Sequence, residues 1–317
     1  MTDFKKLNIV VLSGGISHER DVSLRSGRRV AEELQAAGHT VTVRDPDASL
    51  LPALTEQAPD VVWPALHGAS GEDGALQALL RARGIRYVGS HAEGAGLAWF
   101  KPTAKVLVSR AGIATPAWLT LPTETFRELG ANGVLAEIVH GIGPAAVVKP
   151  AQGGSAQGVT IVTDAGDLPR AMVDAYTYSD VALIEKKIEG TELAIAVIDS
   201  GHGPVALPAV EIQPRSGVYS FEARYNAGET TFYAPARVSD DIARRAGETA
   251  VAVHELLGLR HISRIDLIVD ENGVVWFLEA NMLPGLTETS LVPQAIEAAG
   301  LTLASTYSAL AMAAAGE

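Results

Sequence analysis

Short apolar runs alternate with helical periods over the first hundred residues of this 317-residue chain. Runs at 8–12, 39–44 and 60–64 predict strands. Between the first two, 22–37 carries Val30 and Leu34 at helical spacing and is followed by Gly38, a residue type favoured just past a helix end. A helix at 75–83 and a short strand at Tyr87 complete the unit. Strand–helix–strand alternation of this kind predicts βαβ units around a largely parallel sheet.

After a short helix at 103–111 the texture changes. Runs at 145–149 and 159–162 flank a glycine-rich segment and predict two strands joined by a reversal. A helix at 168–175 and a strand at 181–185 follow. Beyond Glu192 strands dominate, at 193–198, 207–212, 231–233, 262–269 and 274–279, with one long helix at 240–257 and an Ala-rich closing helix at 304–315. The expectation is an α/β unit followed by α+β structure with antiparallel sheet, without internal repeats.

Hydrophobic residues make up 47% and charged residues 20%, ordinary globular usage that excludes disordered and collagen-like chains. Twenty-five Lys and Arg against 37 Asp and Glu give a net charge of −12, which argues against nucleic acid or an anionic membrane as partner. Any bound anion must therefore meet a local positive site. The absence of cysteine removes disulfides, thiolate nucleophiles and Cys-ligated metals, and fits a cytoplasmic location. Residues 9–12 are too short for a signal-peptide core, and no apolar run reaches the ~18 residues of a membrane span.

Four segments could carry chemistry. Lys149-Pro150-Ala151-Gln152-Gly153-Gly154-Ser155-Ala156-Gln157-Gly158 ends a strand on a lysine and enters a loop able to aim several N–H groups at phosphate oxygens. It is not a Walker A loop, and a flexible hairpin is the plainer reading. Alternation puts Arg264 and Asp266 on one strand face, and Glu279 and Asn281 on one face of the next. If the strands are adjacent, Asp266, Glu279 and Asn281 form an all-oxygen cluster suited to Mg²⁺ held against a nucleotide; a salt bridge at a sheet rim is the alternative. The loop from Pro284 to Ser290 follows directly, and could place Gly285 N–H and the Ser290 hydroxyl near whatever reacts, or be an ordinary turn. Ser17-His18-Glu19-Arg20-Asp21 follows the first strand at the carboxyl edge of a parallel sheet, where such folds bind ligands. His67 precedes Gly68 and is more often structural than catalytic when met alone.

Taken together, LSGGISHERDVSLRSG, ALHGASGEDGALQALL, YVGS, VVKPAQGGSAQGV, LIEKKIEGTEL, FEARYNAGETTFYAPA, SRIDLIV and FLEANMLPGLTETSLVP resemble, in order, the D-alanine–D-alanine ligase family of the ATP-grasp superfamily. The resemblance spans about residues 8–303. It implies a Rossmann-like (pre-ATP-grasp) unit at 1–100, a central ATP-grasp lid at 101–188 and a C-terminal catalytic unit at 189–317. It also implies ATP-dependent joining of two D-alanines through an acylphosphate and a tetrahedral intermediate, for peptidoglycan precursor synthesis, in a homodimer.

On that resemblance Lys101, Lys149 and the N–H groups of the 153–158 loop hold ATP phosphates, with Arg224 nearby. Glu185, Lys186, Ile188 and Glu192 take adenine and ribose, and Asp266, Glu279 and Asn281 bind two Mg²⁺ ions, for which Mn²⁺ can substitute. Glu19 binds the first D-alanine and joins Ser155 and Tyr225 in a triad that closes a loop. Arg264 and Gly285 N–H stabilise the oxyanion; Ser290 and Leu291 N–H hold the second carboxylate, with His67 close by. The Tyr225 text resembles the dipeptide-forming rather than the D-lactate-using type. Departures from the family pattern are Phe100 before Lys101, Ala156 in the phosphate loop, Arg224 for a lysine and Met282 after Asn281. Beside this reading stand a ligase of another D-amino acid or D-hydroxy acid pair and an ATP-binding paralogue without catalysis. An NAD-dependent dehydrogenase is disfavoured because SGGISH lacks the GxGxxG fingerprint.

Overall fold

The computed structural model describes residues 5–215, 217, 219, 223–224 and 228–316. Strand β1 (Asn8–Leu12) lies between β2 (Thr40–Arg44) and β3 (Val61–Pro64), parallel to both. A central parallel strand is covered on both faces, which is why β1 reads as one apolar run. Ile9 and Val11 face Val30 and Leu34 of α1 (Arg20–Ala36), while Val10 and Leu12 face Leu50 and Leu54 of α2 (Leu50–Gln57). The short α3 (Ala69–Glu72) and α4 (Ala75–Ala82) finish this unit, and Tyr87 makes only a single bridge to Val62 rather than a strand.

Helices α5 (Ala92–Trp99) and α6 (Lys101–Arg110) come next in sequence but pack elsewhere: Ala95, Ala98, Ala104 and Val108 share a core with Phe277 and Ala280 near the other end of the chain. A second sheet follows, built from β4 (Trp118–Pro122), β5 (Ala146–Pro150), β6 (Thr160–Val162) and β7 (Val181–Lys186) in the antiparallel order β4-β7-β5-β6. Its α7 (Thr123–Leu129), α8 (Ala131–Ile142) and α9 (Leu168–Tyr176) lie beside it in sequence, and Ile138 and Met172 cover Ala146, Val148, Ala182 and Ile184. Strand alternation sends Lys149 and Glu185 to the opposite face.

The third sheet contains β8 (Thr191–Ile198), β9 (Val205–Ala206), β10 (Val210–Pro214), β11 (Thr230–Tyr233), β12 (Ile262–Val269) and β13 (Val275–Asn281). Its order is β11-β10-β8-β12-β13, antiparallel throughout, with β9 pairing β8. Helix α10 (Asp240–Leu256) starts at Ser239, whose Oγ accepts from Ile242 N at 3.3 Å, and has Asp240 and Asp241 in its first turn, where carboxylates favour the helix N-terminus. Its Ala246, Ala250 and Val253 cover β8 and β12. Helix α11 (Leu291–Ala298) packs on β8 and β10, and α12 (Leu303–Gly316) returns to the first sheet, where Tyr307 and Trp63 stand with ring centroids 5.2 Å apart. The first and third units thus share one core, whereas the second has its own. Among the described residues no single helix is long and apolar enough to cross a membrane.

Where the first and third units meet, His254 Nδ1 lies 2.8 Å from Ser263 Oγ, and His261 Nδ1 accepts from Gly89 N at 3.0 Å. Burial pushes each imidazole down to about 4, from an ordinary 6.5, so both fold as neutral rings. Their contribution to stability is present above pH 6.5 and is lost as pH falls toward 4, at most about 3 kcal/mol for each ring. Urea unfolding of His254→Gln should accordingly show a pH dependence between 7 and 4 weaker than the parent's by about 2–3 kcal/mol. Equal pH dependence in the two proteins would remove His254 from this role.

Candidate active site

Antiparallel pairing of β12 and β13 sets Arg264 opposite Asn281 and Asp266 opposite Glu279, with a bulge between Asp266 and Leu267. The strands that the sequence required to be adjacent are adjacent. Arg264 donates Nε and Nη2 to the two Asp266 oxygens at 2.7 and 2.8 Å, a bidentate ion pair, and Asn281 Nδ2 donates to Asp266 Oδ2 at 3.2 Å. Burial opposes the charge on Arg264, but Asp266 and then Glu279 more than offset it, so its pKa is raised. Glu279, 3.4 Å from Lys101 Nζ, is held well below the usual carboxylate range because Lys101 and Lys149 outweigh its desolvation. Asp266, Glu279 and Asn281 offer oxygen donors only, which suits Mg²⁺. Among the described residues no three carboxylate or imidazole side chains form a metal cage on their own, so such an ion would need phosphate or water oxygens as further ligands.

Asp266 and Glu279, with Lys101, line a cavity of about 210 Å³ between the second and third sheets, while Arg264 and Asn281 do not reach it. Glu192 of β8 stands on the same side, and across the cavity lie Lys149, Lys186, Ile188 and the 152–157 loop. Lys101 Nζ donates to Gly153 O at 2.6 Å, fastening helix α6 to that loop. Lys149 pairs with Glu185 Oε2, and Lys105 Nζ reaches Glu185 Oε1 at 2.5 Å. Burial raises the Glu185 carboxyl, and the two lysines bring it below its ordinary value. Glu192 has no such company: burial pushes it up to about 6, with Arg224 pulling the other way.

A second cavity of about 70 Å³ adjoins the first and shares Gly154, Tyr219 and Arg224 with it. Glu19, His67, Ser155, Arg264, Gly285, Ser290 and Leu291 line it, so residues from all three sheet units meet there. Ser155 Oγ donates to Glu19 Oε1, joining the 152–157 loop to the start of α1. Ser155 and Ala156 hold φ of 51° and 56°, a left-handed conformation costly for residues with a Cβ. A Cβ at Gly154 would come within 3.0 Å of Glu19 Oε1, and one at Gly285 within 2.9 Å of Ser290 Oγ, so a side chain at either position would displace a residue lining this cavity. Ser290 Oγ accepts from Thr287 N at 3.0 Å. His67 stands 3.5 Å from Glu72 and 3.3 Å from Ser26 Oγ, which itself accepts from Leu286 N at 3.2 Å. Burial raises the Glu72 carboxyl above its ordinary value.

The candidate residues therefore converge on two adjoining cavities. Tyr225 lies outside the described residues, so the Glu19–Ser155 contact is described without it. Glu185, expected on the adenine side, is 2% exposed and engaged by two lysines. Sequence reading missed Lys105, Glu72 and Tyr219. Lys105 carried one signal, its position one helical turn from Lys101 on the same face of α6.

Residues 107–311 match the family model described as D-ala D-ala ligase C-terminus, and 44–90 the one described as D-ala D-ala ligase N-terminus. The chain belongs to the D-alanine–D-alanine ligase family. Relatives bearing that enzyme name in Gloeobacter violaceus and in Anaeromyxobacter sp. strain Fw109-5 are each 40% identical, over 93% of this chain and 95% and 92% of theirs. Solved structures agree. The D-alanine–D-alanine ligase of Bacillus anthracis superposes with a TM-score of 0.83 at 28% identity, covering 97% of both chains. The D-Ala:D-Ser ligase of Enterococcus faecalis reaches 0.83 at 26%, covering 98% of this chain and all of its own. This ligase family has the ATP-grasp fold, and the three sheets described above are its form here.

Proposed function

We propose that the chain joins two D-alanines into D-alanyl-D-alanine with conversion of ATP to ADP and phosphate, for peptidoglycan precursor synthesis. The observation that carries this is the junction of the two cavities, where Arg264, Asp266, Glu279 and Asn281 stand between a large pocket bearing lysines and a small one bearing Glu19 and Ser290. The three units are read as substrate, lid and catalytic domains, and family membership supports a cytoplasmic homodimer.

ATP takes the larger cavity, with adenine and ribose near Lys186, Ile188 and Glu192 and the phosphates between Lys101, Lys149 and the 153–158 loop. Mg²⁺ at Asp266, Glu279 and Asn281 supplies charge neutralisation for the transferring phosphoryl group. Glu19 holds the ammonium of the first D-alanine, whose carboxylate accepts the γ-phosphoryl group to give an acylphosphate. Ser290 and the N–H of Leu291, at the start of α11, hold the carboxylate of the second, with His67 alongside. Its free amine attacks the acyl carbon; Arg264 and Gly285 N–H stabilise the oxyanion, and phosphate leaves as the peptide bond forms. The Ser155–Glu19 contact closes the loop and excludes water from the acylphosphate.

The test is phosphate release with ATP, Mg²⁺ and D-alanine, beside D-serine, D-lactate and L-alanine as second substrates, with product masses. Release that requires D-alanine and yields its dipeptide is expected. Release only when D-serine or D-lactate is present would replace the substrate reading and leave the nucleotide site standing.

A further inference from the structure

Lys105 is the one lysine buried to zero exposure among the described residues, and the reaction scheme above leaves it without a task. It rises from α6 into the joint between the second and third sheets. Its Nζ meets Glu185 Oε1 at 2.5 Å and donates to Thr115 Oγ1 at 2.6 Å; Thr115 in turn donates to the Phe277 carbonyl of β13 at 2.9 Å. The Trp118 ring lies 5.0 Å away, within range of a cation–π contact. Two charged groups face Lys105, Glu185 from β7 and, beyond it, Lys149 from β5; Lys149 also feels Glu279 and Asp266 across the cavity.

We propose that Lys105 is a positioning residue of the nucleotide site: by sharing Glu185 with Lys149 it leaves this buried group with one net positive charge directed at the phosphates. This rests on the larger cavity being a nucleotide site. Alone with Lys149, Glu185 would form a neutral pair, and a phosphate approaching Lys149 would compete with an uncompensated buried carboxylate. With Lys105 behind it, Glu185 stays satisfied when Lys149 turns toward a phosphate. Thr115 and Trp118 fix the Lys105 ammonium on the far side, so it supports Lys149 without reaching the ligand.

The charge on Lys105 can be read in solution. Burial lowers it to about 8, with Glu185 working against that, while Lys149 is raised and stays charged. Above pH 8 the free protein loses the Lys105 proton, and the arriving nucleotide anion restores it. Calorimetric titration with MgATP should then show proton uptake, and affinity should fall by up to about tenfold per pH unit above pH 8. Lys105→Met should bind MgATP about tenfold or more weakly at pH 7, with the KM for D-alanine within about twofold of the parent. Lys105→Arg keeps a charge that does not titrate, so it should hold affinity at pH 7 and lose the alkaline decline.

Unchanged affinity in Lys105→Met, or an alkaline decline and proton uptake that persist in Lys105→Arg, would overturn the proposal and leave Lys105 a structural residue. If Lys105→Met does not fold, the parent and Lys105→Arg decide the matter through proton uptake. A parent that binds no MgATP removes the nucleotide reading and this inference together. A parent that binds MgATP but makes no dipeptide removes the substrate reading alone, since the Lys105 comparison is decided by affinity.

Discussion

Arg264→Ala is expected to lower dipeptide formation by about a thousandfold, the upper range for removing one preorganised oxyanion donor. Arg264 lines the small cavity and not the large one, is 8% exposed, and is fixed by two hydrogen bonds to Asp266, so its charge is in place before the reaction begins. Without it, negative charge developing on the tetrahedral intermediate would meet Glu19 and Glu72 on the cavity wall. Nucleotide affinity should change only a few-fold, because Lys101, Lys149 and the loop remain. Arg264→Lys should recover little, since an ammonium cannot span both Asp266 oxygens and still face the substrate. Steady-state dipeptide production measured beside MgATP affinity separates the two effects. Turnover within tenfold of the parent would exclude Arg264 from the oxyanion role.

Much of this arrangement was legible in the sequence, for local reasons. Alternation along β12 and β13 put Arg264 with Asp266 and Glu279 with Asn281, and register pairing of the two strands did the rest. The apolar runs of β1 and β3 announced a buried parallel sheet. What stayed hidden depended on distant packing. Strand β4 is an edge strand, exposed at Leu119 and Thr120, and its mixed pattern gave no period. Helix α5 is built from Ala and Gly with little apolar contrast, and only its fit against Phe277 and Ala280 makes it a core helix. The shared core of Trp63 and Tyr307 joins positions far apart in the chain. Lys105 shows the same limit at one residue: a buried lysine and a solvated one look alike until the carboxylate that meets it is placed.

That carboxylate gives the largest expected effect on stability. Glu185→Gln would leave Lys105 and Lys149 without the anion between them, and removing one partner from a buried ion pair typically costs about 3–5 kcal/mol. For a chain of 317 residues, at an unfolding entropy of about 2.1 cal/mol/K per residue, that corresponds to a fall in Tm of about 5–8 °C. The loss should not be shared equally. Lys149 still has Glu279 and Asp266 across the cavity, whereas Lys105 has only Thr115, Trp118 and the helix around it. Lys105, already lowered to about 8 with Glu185 present, would therefore fall further and fold uncharged. A lysine whose folded pKa drops below its unfolded value loses stability as pH falls, so the gap between Glu185→Gln and the parent should widen as pH drops below 8. Adding Lys105→Met removes the group that bears this penalty. The double variant should be more stable than Glu185→Gln alone at pH 7, recovering about half the loss, a coupling that denaturant unfolding of the four proteins in a double-mutant cycle measures directly. Additive effects would mean that Glu185 holds Lys149 only, and that Lys105 is neutral in the folded protein at pH 7.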